Sequence, residues 1–189
     1  MSEAPLNAQL HEIIGLIYDA ALDPERWPIF MQKLSESFGG NSVFFAQDAT
    51  APAANLYQTA GFEEAPLRSY VEHYAGTNVW TPPLAKLRSG AVASGDDLVP
   101  RAVFEKTEFF NDWLKPQGLA YGIGGIVANE RNLLTQISII RPAKVGAYSG
   151  FERDVFQVVT THLRRAVTIH RELAGARLQR DAAIDGMER

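Results

Sequence analysis

From Gly150 to Arg189 the chain contains no proline, and Gly175 is the one weak point in a helix-forming run before Gly186. A helix of ~30 residues reaches ~45 Å at about 1.5 Å per residue. A globule of this length has a radius of gyration of only ~16 Å, so the far end of such a helix must project beyond the core. Along it, Val155, Val159, His162, Ala166, Ile169, Leu173, Ala176, Arg180 and Ala183 follow alternating steps of four and three, the spacing of a coiled-coil seam. Phe151, Phe156, Val158, Leu163 and Val167 widen the apolar stripe in the first half. The expectation is that this half packs on the domain's own sheet and also self-associates, while the second half continues as a dimer stalk. Val155, Val159, His162, Ala166, Ile169 and Leu173 are therefore the candidate dimerisation residues of a homodimer.

With 189 residues, the chain suits one core with an appended element better than two independent domains. The division expected is a core over 1–149 and a helical connector over 150–189. There is no cysteine, which excludes disulfides, thiolate zinc sites, iron–sulfur ligation and a cysteine nucleophile together. The start Met1-Ser2-Glu3-Ala4-Pro5-Leu6-Asn7 lacks the basic and apolar regions of a secretory leader, and no stretch approaches the roughly 20 apolar residues of a membrane span. A cytoplasmic protein with no membrane partner is expected. A net charge of −4 argues against direct nucleic-acid binding by this chain, because neutralising phosphates takes clustered Lys and Arg.

Hydrophobic periodicity places helices over about Asn7–Tyr18, then from Asp23-Pro24-Glu25 to Gly39-Gly40, with Trp27, Phe30, Met31, Leu34 and Phe38 on one face. Ser42–Gln47 and Leu56–Ala60 read as a strand pair. A helix carrying Leu67, Tyr70, Val71 and Tyr74 follows, then a proline-bent turn from Trp80 to Leu87, a brief strand near Val92, and a helix through Val103, Phe104, Phe109, Phe110, Trp113 and Leu114. Ala120–Ala128 and Leu133–Arg141 form a hairpin across Asn129-Glu130-Arg131-Asn132. The order predicts an α+β domain whose central, mainly antiparallel sheet is flanked by helices, ending in a long C-terminal helix.

Alternation along the first hairpin strand sets Tyr121, Ile123, Gly125 and Val127 on one face and Gly122, Gly124, Ile126 and Ala128 on the other. The second face is bare at Gly122 and Gly124. Either a helix packs closely there or the glycines form one wall of a ligand pocket. Tyr70, Tyr74, Trp80, Trp113 and Tyr121 belong to elements that can cover one sheet face, and such amphipathic rings serve equally in a core and around a small organic ligand. Gly122-Ile123-Gly124-Gly125 lacks the spacing and the strand-to-helix setting of a dinucleotide loop. His11, His73, His162 and His170 have no partner at metal-ligand spacing, and Asp96-Asp97 and Glu63-Glu64 stand where acids cap helices. No catalytic residue, metal site or cofactor is expected, and the chain is not read as an enzyme.

Several motifs in order carry a family resemblance: Ile17-Tyr18-Asp19-Ala20-Ala21-Leu22-Asp23-Pro24-Glu25-Arg26-Trp27, Tyr70-Val71-Glu72-His73-Tyr74, Gly95-Asp96-Asp97-Leu98-Val99-Pro100, Phe109-Phe110-Asn111-Asp112-Trp113-Leu114-Lys115-Pro116-Gln117-Gly118 and His162-Leu163-Arg164-Arg165-Ala166. From about Leu16 to Arg171 the chain resembles the N-terminal region of LuxR-type helix-turn-helix transcriptional regulators. The resemblance implies a GAF/PAS-like sensor fold, a role in signal transduction, and a following output domain, whereas this sequence stops at Glu188-Arg189. Tyr70 to Pro142 is similar, more distantly, to the autoinducer-binding domain of quorum-sensing members, where a Tyr-rich helix leads into an Asp-Pro pair whose carboxylate receives the ligand amide. Asn78-Val79 stands there instead. A neutral amide in place of the anion removes a charge-assisted hydrogen bond, so acyl-homoserine-lactone binding does not carry over, and Asn78 enters as a candidate pocket residue. The candidate ligand-binding set is thus Tyr70, Tyr74, Asn78, Trp80, Trp113, Tyr121, Gly122 and Gly124. The function expected is a non-catalytic sensory domain that binds a small organic ligand and relays through a dimeric helix. The alternative is a ligand-free dimerisation or protein-interaction module.

Overall fold

The computed structural model describes residues 3–50, 52–130 and 132–187; Arg131, in the expected hairpin turn, lies outside them. Helix α1 (Glu3–Leu22) turns Leu6, Ile13, Ile17, Ala20 and Ala21 inward. At its end the Asp23 carboxylate accepts the Glu25 N–H at 3.3 Å and Pro24 opens a short 3₁₀ turn, which hands the chain to α2 (Trp27–Phe38). That helix buries Trp27, Phe30, Met31, Leu34 and Phe38, and stops at Gly39, whose φ of 66° favours glycine.

Five strands make one antiparallel sheet in the order β2-β1-β5-β4-β3: β1 (Asn41–Asp48), β2 (Leu56–Ala60), β3 (Val92–Ser94), β4 (Leu119–Glu130) and β5 (Leu133–Pro142). Paired residues share a face. Phe44, Ile123, Ile137 and Ile139 therefore point one way, into a core shared with α1, α2 and the last helix, α7 (Gly150–Met187). Val43, Phe45, Gln136, Ser138, Gly122 and Gly124 point the other way, toward the segment between residues 62 and 114. One expected face assignment changes: a bulge between Ile126 and Ala128 pairs Ala128 with Thr135, so Ala128 joins the α7 side and not the face of Gly122 and Gly124.

The covering segment is more broken than its apolar periodicity predicts. Helix α3 (Glu64–Ser69) widens into a π-helical turn at Tyr70–Tyr74, and α4 (Thr81–Leu84) is a single turn. The helix expected after Gly95 is three pieces: α5 (Gly95–Leu98), α6 (Arg101–Phe104) and a π-helical turn at Phe109–Leu114. Ser94 and Asp97 close a reciprocal capping box on α5. Pro100, at ψ 135°, ends it. Thr107 then caps the next start by accepting the Phe110 N–H at 3.2 Å.

Helix α7 is 38 residues long, roughly 57 Å at 1.5 Å per residue. Its first half packs on its own sheet, as expected: Val155, Phe156, Val159, Leu163, Ala166 and Val167 are buried in the core with α1 and β4. Of the expected dimer seam, Val155, Val159 and Ala166 are fully enclosed, His162 is held by the Tyr18 hydroxyl at 3.0 Å, and Ile169 packs against the same core. Leu173 is half-buried. The seam is therefore occupied inside the protomer, because α1 supplies the apolar partner that a second copy was expected to supply. Beyond Ala174 the helix is exposed, with Leu178 and Ile184 at 54% and 48% accessibility.

The origin of α7 is fixed by a buried ion pair. Arg141, at the end of β5, grips Glu152 through two bonds of 2.6 and 3.2 Å, donates to the Gly146 carbonyl at 2.7 Å, and lies over the Tyr148 ring. Burial works to raise the Glu152 pKa, but hydrogen bonds from Arg141 and Ser149 overcome it and hold the carboxyl below its ordinary value. A lowered folded-state pKa contributes stability that is present above the unfolded pKa and is lost as pH falls through the folded one. Urea midpoints measured from pH 7 downward should therefore fall once pH drops below the ordinary glutamate range near 4.5, and Glu152→Gln should lose that part of the acid dependence. Glu152→Ala, which strands Arg141, should cost about 3–5 kcal/mol at pH 7. The double replacement Arg141→Met, Glu152→Leu should cost less than that single change.

Candidate functional site

The second face of the sheet meets a chain of aromatic side chains. Phe62 stacks on Trp113 with centroids 5.9 Å apart, Tyr70 lies 4.9 Å from Trp113, and Phe109 stacks on Trp113 at 5.3 Å. Trp80 stacks on Phe104 at 4.4 Å and meets Phe109 edge-on. The two π-helical turns deliver Tyr70 and Trp113; an extra residue in a helical turn re-aims its side chains, and such turns recur at functional sites. On the outer surface His73 and Glu108 bridge these two segments.

Polar tips fix the assembly. Trp113 donates its indole N–H to the Pro66 carbonyl at 3.0 Å. Asn78 donates to the Tyr70 hydroxyl at 3.0 Å and accepts the Trp80 backbone N–H at 3.0 Å. Asn78 is thus a strut that locks Tyr70 to Trp80, with both ends of its amide engaged.

The bare face is filled in part by the protein itself. A Cβ added to Gly122 would lie 2.9 Å from the Trp80 ring, one on Gly95 2.7 Å from it, and one on Gly124 2.9 Å from Leu84. The close-packing alternative therefore describes what Gly122 and Gly124 do. Two chambers remain beside this plug, sharing Asn78, Gln136, Ser138 and Ile140. The larger, about 120 Å³, is walled by Val43, Phe45, Tyr57, Phe62, Tyr70 and Trp113. The smaller, about 40 Å³, lies among Trp80, Leu84, Leu98, Gly122 and Gly124. Neither is lined by Asp, Glu, Lys, Arg or His. On the chamber wall the Tyr57 phenol is pushed up by burial and then by Tyr70.

Six of the eight expected ligand-site residues thus converge: Tyr70, Asn78, Trp80, Trp113, Gly122 and Gly124. Two do not line the chambers. Tyr74 packs behind the wall, against His73 and the far side of Trp113. Tyr121 turns into a separate crevice with Ala147 and Tyr148, under the Arg101 guanidinium at 4.6 Å, because residues next to each other in a strand face opposite ways. Sequence reasoning missed the strand floor: Gln136, Ser138 and Ile140 on β5, Val43 and Phe45 on β1, and Tyr57 on β2. The signal was present. Gln136 and Ser138 alternate with Ile137 and Ile139, and such polar members ordinarily face water; here the aromatic segment covers them. Among the described residues no group of three or more His, Asp or Glu is placed to hold a metal ion, and no helix is long and apolar enough to cross a membrane.

Overpacking tests this geometry. Gly122→Ala and Gly95→Ala should each destabilise by about 1–3 kcal/mol, because the neighbour that must give way is a stacked indole. Gly175→Ala, in open helix with nothing within 4 Å of the added Cβ, should be neutral or stabilising by up to about 1 kcal/mol. Denaturant midpoints of the three variants decide it.

No protein-family model matches the sequence, and no curated protein matches it significantly. Solved structures do match. The VqsR LBD domain from Pseudomonas aeruginosa superposes with a TM-score of 0.64 at 15% identity, over 85% of this chain and 94% of that one. The N-acylhomoserine lactone dependent LuxR family transcription factor CepR2 from Burkholderia cenocepacia superposes with a TM-score of 0.58 at 14% identity, over 89% of this chain and 99% of that one. Escherichia coli SdiA gives 0.54 at 14% identity, over 80% of this chain and 61% of that one. Over most of its length the chain therefore shares its fold with these solved structures.

Proposed function

We propose that the chain is the non-catalytic sensory domain of a transcriptional regulator, which takes a small organic molecule between its sheet and its aromatic cap and passes the occupancy to α7. The observation that carries this reading is the larger chamber, ring-lined and free of ionised side chains, in a fold shared with a transcription factor described as N-acylhomoserine lactone dependent. The route to α7 runs through the sheet edge. Gly95 abuts Trp80, and two residues on, Asp97 accepts from Arg153 of α7 at 2.7 Å. Gln157 of α7 donates to the Gly90 carbonyl, just before β3, at 2.7 Å. A ligand that prefers one position of α4 and α5 thereby biases α7; equal affinity for both positions would shift nothing. Homodimerisation then falls to the exposed rod beyond Ala174, where Leu178 and Ile184 stand free of the core.

A ligand-free interaction module is the second reading. It is favoured by the chamber volumes of about 120 and 40 Å³, which are below the roughly 300–1,000 Å³ of drug-sized sites.

Native mass spectrometry of the purified chain should show a bound mass of a few hundred daltons or less that heat releases; a homogeneous bare mass, with no thermal stabilisation across a library of small neutral aromatics, would favour the second reading. Sedimentation of the chain ending at Gly175 should give a monomer where the full chain dimerises. An unchanged dimer would remove the rod from the assembly.

A further inference from the structure

Three polar side chains on the chamber walls have partners within the protein: Asn78 and Tyr70 bond each other, Asn78 also accepts the Trp80 backbone N–H, and Trp113 donates to Pro66. Gln136 and Ser138 are different. Their side chains make no hydrogen bond among the described residues, they occupy alternate positions of β5, and both stand on the wall that the two chambers share. An amide with two donor hydrogens and a carbonyl acceptor, set beside a hydroxyl on a ring-lined wall and engaged by no protein partner, is open to a complementary ligand group. Ring size and charge set the rest of the specificity. Apolar cavities of about 150 Å³ admit a single benzene ring, so a chamber of about 120 Å³ suits one ring and not a long acyl chain. An ion buried there would meet no counter-charge, which disfavours carboxylates and ammonium groups alike.

Resting on the ligand-binding reading above, we propose that the site takes a neutral, single-ring aromatic molecule bearing a carboxamide-like donor–acceptor group, and that Gln136 is the residue that reads this group. The ring lies against Trp113 and Phe62, and the amide edge of the ligand pairs with the Gln136 side chain beside the Ser138 hydroxyl.

Benzamide, ethylbenzene and benzoate, titrated into the full chain, separate these claims, with the Trp113 indole and Gln136 amide NMR signals as the readout. Benzamide should bind at least tenfold tighter than ethylbenzene, and benzoate should not saturate. Gln136→Leu should erase the advantage of benzamide while leaving ethylbenzene affinity within about twofold, a sign that the chamber is intact. Gln136→Glu should transfer preference from benzamide to the cation benzamidine, and that exchange decides the matter alone if the leucine variant also loses ethylbenzene. Equal affinity for benzamide and ethylbenzene in the native chain, or a benzamide advantage that survives Gln136→Leu, overturns the assignment to Gln136 while leaving the chamber a ligand site. If no probe shifts either signal, the inference and the ligand-binding reading fall together.

Discussion

The structure depends on one strand that carries almost no side chains where it matters. Positions Gly122, Gly124 and Gly125 of β4 let both layers approach the sheet at once: Trp80 and Leu84 from one side, and Thr160 of α7 from the other, whose hydroxyl lies 2.6 Å from where a Gly125 Cβ would sit. Each glycine costs roughly 0.5–1 kcal/mol of backbone order relative to alanine. Burying an indole removes about 150–250 Å² from water, worth about 4–6 kcal/mol at about 25 cal/mol per Å². The exchange favours the fold. It also fixes where empty space remains, since a flat indole on a flat strand closes the middle of the face and leaves room only beside it.

The aromatic cap follows from the same constraint. A continuous helix over this face would present its side chains at one spacing, whereas the surface beneath has bare, apolar and polar positions in close order. The chain meets it in short pieces, two of them π-helical, each held by a polar tip bonded within the cap. Because Asn78, Tyr70 and Trp113 spend polar atoms on one another and on backbone groups, these three confer shape, and Gln136 and Ser138 of the strand floor carry open hydrogen-bonding groups. The division of labour resembles that of many small-molecule sites, in which apolar walls surround a few convergent polar groups.

What the sequence made legible was whatever repeats with a period. The hairpin, the strand pair, α2 with its Asp23-Pro24 start and Gly39 stop, and the long last helix all follow from spacing and caps. Tyr70, Trp80 and Trp113 were recognisable as one group because bulky rings opposite bare glycines must fill the gap. The pieces that did not show are those decided by tertiary context. A bulge turns Ala128 to the other face, Tyr121 and Gly122 part company within one residue, and Gln136 and Ser138 look solvent-facing until the cap is laid over them. The heptad-like pattern of α7 was real but ambiguous, since the same stripe satisfies a second copy or the protein's own α1. Spacing alone does not name the partner.

Magnitude settles that last ambiguity. Exposing Val155, Phe156, Val159, Leu163 and Val167 for exchange with another copy would forfeit about 1.5–3 kcal/mol for each side chain, or roughly 8–15 kcal/mol, which is comparable with the whole stability of a domain. Ligand-linked coupling between sites is typically about 1–3 kcal/mol. A signal of that size cannot unmask the seam, but it can redistribute α7 between closely packed positions in which the core stays dry. On the proposed function, such motion would pass where α7 touches the covering segment through a few polar contacts, at Arg153 with Asp97 and Gln157 with Gly90. An exposed pair such as Arg153 with Asp97 is worth only about 0–1 kcal/mol, so it can be made or lost within the energy a small ligand supplies. The weakness of these contacts would suit them to that task, while the buried Arg141–Glu152 pair holds the root of the helix in place.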